Sequence, residues 1–477
     1  MEFKSTLMKL KMVAVEPILF SYMMIIFMES NAIQELVFVK SCIQLNNPVN
    51  ISDCSYELKQ NLTESVEEAA MWSKYNNCCL FFCTFLSSLF VGSWSDRFGR
   101  KFPMLIPPIG STFAAAVNCI LSVYIKTHPA FFIISSVISG LSFGSVGIIA
   151  TTFGYISDFT HEQSRSKRIV ILESMLFTGG TTGIYIAGLF LKHVNYDTKV
   201  NSFAQLFIFE GIVSALIVNY IAFRIPKHTS DAQSLDSHTT GLFNLKHISD
   251  SLRTVFRFRE GGRRTKVLLM LFSLFLIYFG SAVQTTLGYY FVKTLGWTFQ
   301  EYTLFHSIQF GVEGLALLFG LPTLLYFCHV PDHIFAALGM ISRIAGFVMF
   351  GLSYTVGMVY SCAALYMLSE FPVPALRSML SKTVNADEKG KIFAFTASLQ
   401  NLCYLLGSFI LTTIFTEVSF KGLCFEVVAG LQGIALIIII YLYFTRHEYV
   451  MVYETVVNAD GSVTETSYVA PDENSIY

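Results

Sequence analysis

Long apolar runs separated by short polar links repeat twelve times along this chain. They cover roughly residues 13–38, 74–93, 103–125, 130–156, 169–191, 203–223, 267–291, 302–325, 333–354, 356–383, 392–415 and 424–445. About 20 apolar residues in a helix cross the hydrocarbon core of a bilayer, so each run is predicted to be one membrane span, numbered 1–12 in chain order. Pro372 and Pro374 interrupt the tenth run, where neighbouring helices must satisfy the carbonyls that proline releases. Two links are long: residues 39–73 form a polar loop between spans 1 and 2, and residues 224–266 a basic loop between spans 6 and 7. The other links are short, so consecutive helices are predicted to run antiparallel. The pattern predicts an all-α integral membrane protein with an N-terminal six-helix half (1–223), a linker (224–266), a C-terminal six-helix half (267–445) and a tail (446–477).

Charge orients the bundle. With an even number of spans, both chain ends lie on one side, and that side carries 22 Lys and Arg against 8 on the other. The positive-inside rule then predicts cytosolic termini. Asn50 (Asn-Ile-Ser) and Asn61 (Asn-Leu-Thr) are glycosylation acceptors, and both fall in the 39–73 loop that this topology places outside. Cys42 and Cys54 share that loop; in an oxidising compartment they can pair or remain two thiols. The other eight cysteines lie in or beside apolar runs and read as small hydrophobes. No CxxC or His/Cys cluster predicts a metal site.

Composition sharpens the class. Charged residues make up 14% of the chain, against about 25% in soluble domains, and mean hydropathy is +0.55. Such a chain cannot cover itself in polar surface, so its solvent is largely lipid. The net charge of −1 gives no basis for nucleic-acid binding. The first run is too long and too charged for a secretory signal, so it is read as span 1. No nucleophile–base or metal constellation predicts an enzyme, no cofactor is expected, and a monomer is.

"VGSWSDRFGRK" (residues 91–101) puts a knot of charge between spans 2 and 3. Gly92 lets helices approach, and Gly99 supplies the permissive backbone of a tight turn. Asp96 can accept from Arg100 or from a neighbouring helix N-terminus, forming a latch that releases when the halves rock. The positive-inside rule alone explains Arg97, Arg100 and Lys101 but not the acid and both glycines. This pattern, with the layout of six spans, linker and six spans, resembles the signature of the major facilitator superfamily.

Four stretches narrow the resemblance: "VEPILF" (Val15–Phe20), "WSDRFGRK", "YISDFTHEQSRSKRIVILES" (Tyr155–Ser174) and "PALRSMLSKTV" (Pro374–Val384). In order and spacing they resemble the proton-coupled folate transporter family (solute carrier family 46). That resemblance implies uptake or lysosomal export of small organic anions (folate-like, nucleotide-like or peptidoglycan-fragment-like) driven by a proton gradient. It assigns proton coupling to Glu173, substrate and proton binding to Arg377, and matching positions to Asp158 and His247. One departure stands out: where the folate branch has a histidine in span 7, this chain has Tyr278. Tyrosine titrates near pH 10 when unperturbed, far from neutrality, but its hydroxyl can still bond substrate or relay a proton.

Ionisable residues inside spans each need a reason, because a charge at mid-span costs about 2.5–3.5 kcal/mol on insertion scales. Glu29 in span 1 either lines the cavity or sits near its water-filled outer end. Glu173 faces the coupling site or pairs with Arg165 or Arg168. Glu210 reads as a packing acid near the outer mouth. Glu313 and Arg343 either pair with each other, or Arg343 faces the cavity and attracts an anion. Tyr289 and Tyr290 read as part of an interfacial aromatic belt. The acidic tail is expected to be mobile, and its words Tyr449–Val452 and Tyr453–Val456 fit a sorting-adaptor pattern. The sequence thus predicts a proton-coupled secondary transporter working by alternating access in the plasma or a lysosomal/endosomal membrane. The alternative is a receptor or scaffold that kept the fold and lost transport.

Overall fold

The computed structural model describes residues 15–46, 62–159, 162–192, 196–225, 255–257, 262–320, 331–384, 388–445, 450–457 and 463–470, and of residues 92–98, 157–159, 162–167 and 196–201, among a few others, the backbone alone. The spans are Glu16–Asn46, Leu62–Phe98, Lys101–Val123, Phe132–Leu141 with Gly144–Phe159, Glu162–Phe190, Tyr196–Arg224, Arg263–Thr294, Phe299–Leu315, Asp332–Gly351, Val356–Leu365 with Pro372–Thr383, Lys389–Glu417 and Leu423–Phe444. We call the side where spans 1 and 2 connect the loop face, and the side where spans 2 and 3 connect the linker face.

Most helix ends fall within a few residues of the apolar runs. The 39–73 stretch does not read as a loop throughout, because span 1 continues to Asn46 and span 2 starts at Leu62. The reason is amphipathic spacing: Val66, Ala69 and Ala70 are buried, while Glu64, Glu67 and Glu68 occupy other positions of the same turns. Hydropathy marks the lipid's thickness and misses helix that projects beyond it. Asn50, Asn61 and Cys54 lie outside the described residues; Cys42 is buried and disulfide-bonded.

Two spans are broken. In span 4, Phe143 has φ of +70° between the helical segments, a left-handed conformation that costs a bulky residue energy and is held only by surrounding packing. In span 10, a short 3-10 turn at Tyr366–Leu368 precedes the second segment, which opens at Pro372. Proline suits a first helical position because the amide it lacks would have no partner there. The break therefore lies just ahead of the prolines.

The two halves repeat one packing plan. Spans 1 and 5 pair in the first half as spans 7 and 11 do in the second, and spans 3 and 6 pair as spans 9 and 12 do. Gly179 and Gly183 of span 5 lie against the Phe20 and Met24 carbonyls of span 1, a backbone approach that a side chain would block. Between the halves, span 2 meets spans 7 and 11, and span 5 meets span 8. Among the described residues, nine helices are long and apolar enough to cross a membrane; spans 2, 5 and 8 are not among them. All three lie at the seam between the halves.

The tail departs from expectation. Strands β1 (Val450–Val457) and β2 (Val463–Ala470) pair antiparallel, with Tyr453 opposite Ser467. Their β-branched runs flank Asp460-Gly461, which is a hairpin signature. The Tyr453–Val456 word is part of a paired strand, while Tyr449 lies outside the described residues.

Candidate functional site

The seam is tied at the loop face. Gln34 Nε2 donates to the Thr285 carbonyl at 2.7 Å, and Asn77 Nδ2 to Thr286 Oγ1 at 3.3 Å. Ser73 Oγ and the Tyr290 hydroxyl lie 2.5 Å apart, Lys74 Nζ donates to Thr413 Oγ1 at 3.3 Å, and Lys421 Nζ is 2.5 Å from Glu67 Oε1. The Tyr289 hydroxyl donates to Glu35. Tyr289 and Tyr290 are fully buried, so they belong to this closure and not to an interfacial belt. Every first-half partner named here sits in the loop-face part of span 1 or span 2. This conformation is closed at the loop face.

Toward the middle of the seam the structure gathers three predicted residues from three spans. Arg377, in the second segment of span 10, donates from Nη2 to the Tyr278 hydroxyl of span 7 at 3.0 Å. The same guanidinium is within electrostatic reach of Glu173 of span 5, so this group of residues spans both halves. Glu173 does not pair with Arg168, whose Nη2 instead lies 2.8 Å from Glu16 Oε1 at the start of span 1; Arg165 lies among residues described by backbone alone. Half-buried aromatic rings flank this region. Phe310 of span 8 packs on Phe27 of span 1 and Phe177 of span 5, with centroids 4.8 and 5.1 Å away. Phe81 stacks on Tyr404 at 5.2 Å.

Glu313 and Arg343 do not form a simple pair. Arg343 Nη1 lies 3.4 Å from Glu370 Oε1 and donates to the Ser369 carbonyl at 3.2 Å, while Nη2 donates to Ser281. Glu313 accepts from Gln309 Nε2 at 2.9 Å and is within electrostatic reach of both Glu370 and Arg343. The group is two acids around one arginine, placed where span 10 is broken. Sequence reading passed over Glu370; its signal was its place in "SEFPVP", immediately ahead of the prolines.

Glu29 takes neither expected position. Phe27 and Asn31 point to the second half, with Asn31 Oδ1 3.3 Å from His306 Nδ1. Glu29 lies two residues from each, on the opposite helix face. It turns into the first half, where Asn118 Nδ2 of span 3 donates to it at 2.8 Å and Glu210 of span 6 is its neighbour. Glu210 is thus a mid-span residue, away from the outer mouth.

At the linker face, Gly99 has φ of +73° and turns the chain between spans 2 and 3. Arg100 lies over Gly154 of span 4, where an added Cβ would sit 3.1 Å from the guanidinium carbon. Lys101 Nζ donates to the Ala222 carbonyl of span 6 at 2.7 Å. The second half uses the corresponding place: Asp332, opening span 9, accepts from Ser378 and Lys382 of span 10 at 2.8 and 2.6 Å. The side chains of Asp96, Arg97 and Asp158, the surroundings of Gly92, and all of His247 lie outside what is described. Among the described residues no metal-ligating group of His, Cys, Asp and Glu occurs.

Comparison with known proteins agrees with this geometry. The Major Facilitator Superfamily model matches residues 77–408. The proton-coupled folate transporter of Rattus norvegicus is 26% identical over 89% of this chain and 91% of its own length. The lysosomal proton-coupled steroid conjugate and bile acid symporter SLC46A3 of Gallus gallus is 27% identical over 91% of this chain and 95% of its own. Among solved structures, the human organic anion transporter MFSD10 superposes with a TM-score of 0.60 at 15% identity, over 89% of this chain and 99% of that one. A D-xylose-proton symporter gives 0.61 at 15%, over 88% and 97%. With a family match across most of its length, paired six-helix halves and a seam closed on one face, the chain belongs to the Major Facilitator Superfamily and is a multi-pass membrane transporter.

Proposed function

We propose that this protein is a proton-coupled symporter of an organic anion with an apolar, partly aromatic body. The placement of Glu173 within electrostatic reach of Arg377 across the halves carries this reading. Arg377 is a fixed cation on a broken helix, where binding at a repeat interface is favoured. While Glu173 is ionised it neutralises Arg377 and competes with an anionic substrate. A proton on Glu173 removes that competition and leaves the guanidinium to an incoming carboxylate, sulfate or phosphate. Proton and anion therefore load together. Tyr278 holds the guanidinium in place, and Phe27, Phe177, Phe310, Phe81 and Tyr404 offer faces to the apolar body.

The names of the two relatives, one folate and the other steroid-conjugate and bile-acid carrying, support an amphipathic organic anion and favour folate-like over nucleotide-like solutes. The proton gradient supplies the energy, no prosthetic group takes part, and one chain forms one pathway. Lysine and arginine placement supports a cytosolic linker face. The present conformation is then closed toward the outside, in a plasma or lysosomal/endosomal membrane.

The test is uptake into proteoliposomes under an imposed pH gradient, with a folate, a bile acid and a steroid sulfate as substrates. Concentrative uptake that a protonophore abolishes is expected. Binding without flux for the whole panel would point to a receptor on this fold.

A further inference from the structure

We propose that Glu29 and Glu210 form a shared-proton site inside the N-terminal half, separate from the seam between the halves. Glu29 lies near the middle of span 1 and Glu210 near the middle of span 6, and they are 7% and 0% exposed. Spans 3 and 6 pack chiefly on each other and on spans 1 and 4, so this pair is walled by the first half alone. The two carboxyl groups are within hydrogen-bonding reach of one another. Among the described residues, no N–H or O–H of another side chain or of the backbone reaches either oxygen of Glu210.

Two carboxylates have only acceptors, so they bond to each other only when one carries a proton. The surroundings give no other way to neutralise them. The groups facing the pair are the Tyr22 hydroxyl of span 1, itself bonded to Ser111, and the Asn118 amide of span 3; neither carries charge at neutral pH. No lysine or arginine among the described residues faces either acid. Burying two like charges with no counter-ion is far costlier than burying one charge and one neutral acid. The proton on one carboxyl donates to the other, and Asn118 donates to Glu29.

A second observation points into the same place. Asn118 and Ser214 are each 0% exposed, yet the Asn118 Oδ1 and Ser214 Oγ atoms have no hydrogen-bond partner among the described residues. Ser214 follows Glu210 by one turn on the same face of span 6. These unpartnered polar atoms leave the acids beside buried groups with bonding capacity to spare, which suits a proton, or a protonated water, held between them.

The site does not depend on the transport reading, because its test reads the protein at equilibrium. Infrared spectra of the purified protein at neutral pH are compared between wild type and Glu29→Gln/Glu210→Gln. The expected result is a protonated-carboxyl carbonyl band in the wild type that the double variant lacks. Thermal unfolding from neutral to alkaline pH supplies the second readout. Wild-type Tm falls as the proton is withdrawn, whereas Glu29→Gln, whose amide donates permanently to Glu210, loses that fall. No difference band, with both acids ionised at neutral pH, overturns the proposal. So does stabilisation of the wild type by sodium that the double variant loses, which would make the pair a metal-cation site. If the double variant does not fold, the band and Tm of Glu29→Gln alone decide between these outcomes.

Discussion

The Arg377 guanidinium donates to the Tyr278 hydroxyl at 3.0 Å and faces Glu173 across the seam. One side chain is thereby bonded to a fixed group of its own half and within electrostatic reach of a titratable group of the other. A motion that separates the halves pulls Glu173 away from Arg377 but leaves Tyr278 attached. The tyrosine positions and the glutamate switches.

Replacing the positioning residue should weaken binding without stopping transport. Tyr278→Phe removes one hydrogen bond to a charged group, worth about 1.5 kcal/mol at the lower end, and should raise KM roughly tenfold with kcat largely retained. Arg377→Ala should reduce uptake to background. Arg377→Lys should recover little, since a point charge cannot keep the planar fork that reaches Tyr278. Initial rates in proteoliposomes, normalised to reconstituted protein, check all three. Unchanged uptake by Arg377→Ala would remove this arginine from the site.

The switch should behave differently. Glutamine at position 173 mimics the protonated acid permanently, so Arg377 stays available whatever the pH. Glu173→Gln should keep substrate exchange between equal pools on both sides, lose concentration driven by a pH gradient, and show flat dependence on external pH. Counterflow and gradient-driven uptake measured on the same vesicles separate these effects. Gradient-driven accumulation at the wild-type level would show that the proton travels elsewhere.

How much of this was legible in the chain depends on the length scale of its cause. The spans were legible because lipid demands a continuous apolar run, and a run is a local property. Glu173, Arg377 and Tyr278 were found through local words of sequence, although nothing local said that they gather in one place. Glu210 and Glu370 were misread or missed because their meaning lies in their partners. Glu210 meets Glu29 across about 180 residues of chain, and Glu370 meets Arg343 only because span 10 breaks beside span 9. Tyr289 and Tyr290 carry the composition of an interfacial belt, and only the packing of the halves places them inside. The break at Phe143 had no proline to announce it.

The ion pair between Glu16 and Arg168, at 2.8 Å with both side chains mostly buried, joins the first turn of span 1 to the second turn of span 5. Removing one partner leaves the other charge in a poorly solvated place, so Glu16→Ala should lower stability by about 1.5–3 kcal/mol. The exchange Glu16→Arg with Arg168→Glu should recover part of the loss if the pair acts as a pair. Thermal unfolding in detergent, run as a double-mutant cycle, measures the coupling. Additive losses with no recovery would mean that each residue is held by other contacts.

The ties at the loop face set the balance between conformations. Lys421 meets Glu67 at 2.5 Å and Gln34 meets the Thr285 carbonyl at 2.7 Å, and both contacts must break for the loop face to open. A partly exposed ion pair contributes about 0.2–1 kcal/mol, and a neutral hydrogen bond about 0.5–1.5 kcal/mol. Glu67→Ala with Gln34→Ala should therefore shift the population toward the state open at the loop face by roughly three- to seventyfold. A cysteine at Ser73, buried in the closed form beside Tyr290, reports the shift. Its labelling by a membrane-impermeant thiol reagent should accelerate in the double variant, and substrate added from the linker face should slow it again by favouring the closed form. Equal labelling rates in both backgrounds would mean that the buried contacts of Tyr289 and Tyr290, not these outer ties, hold the face shut.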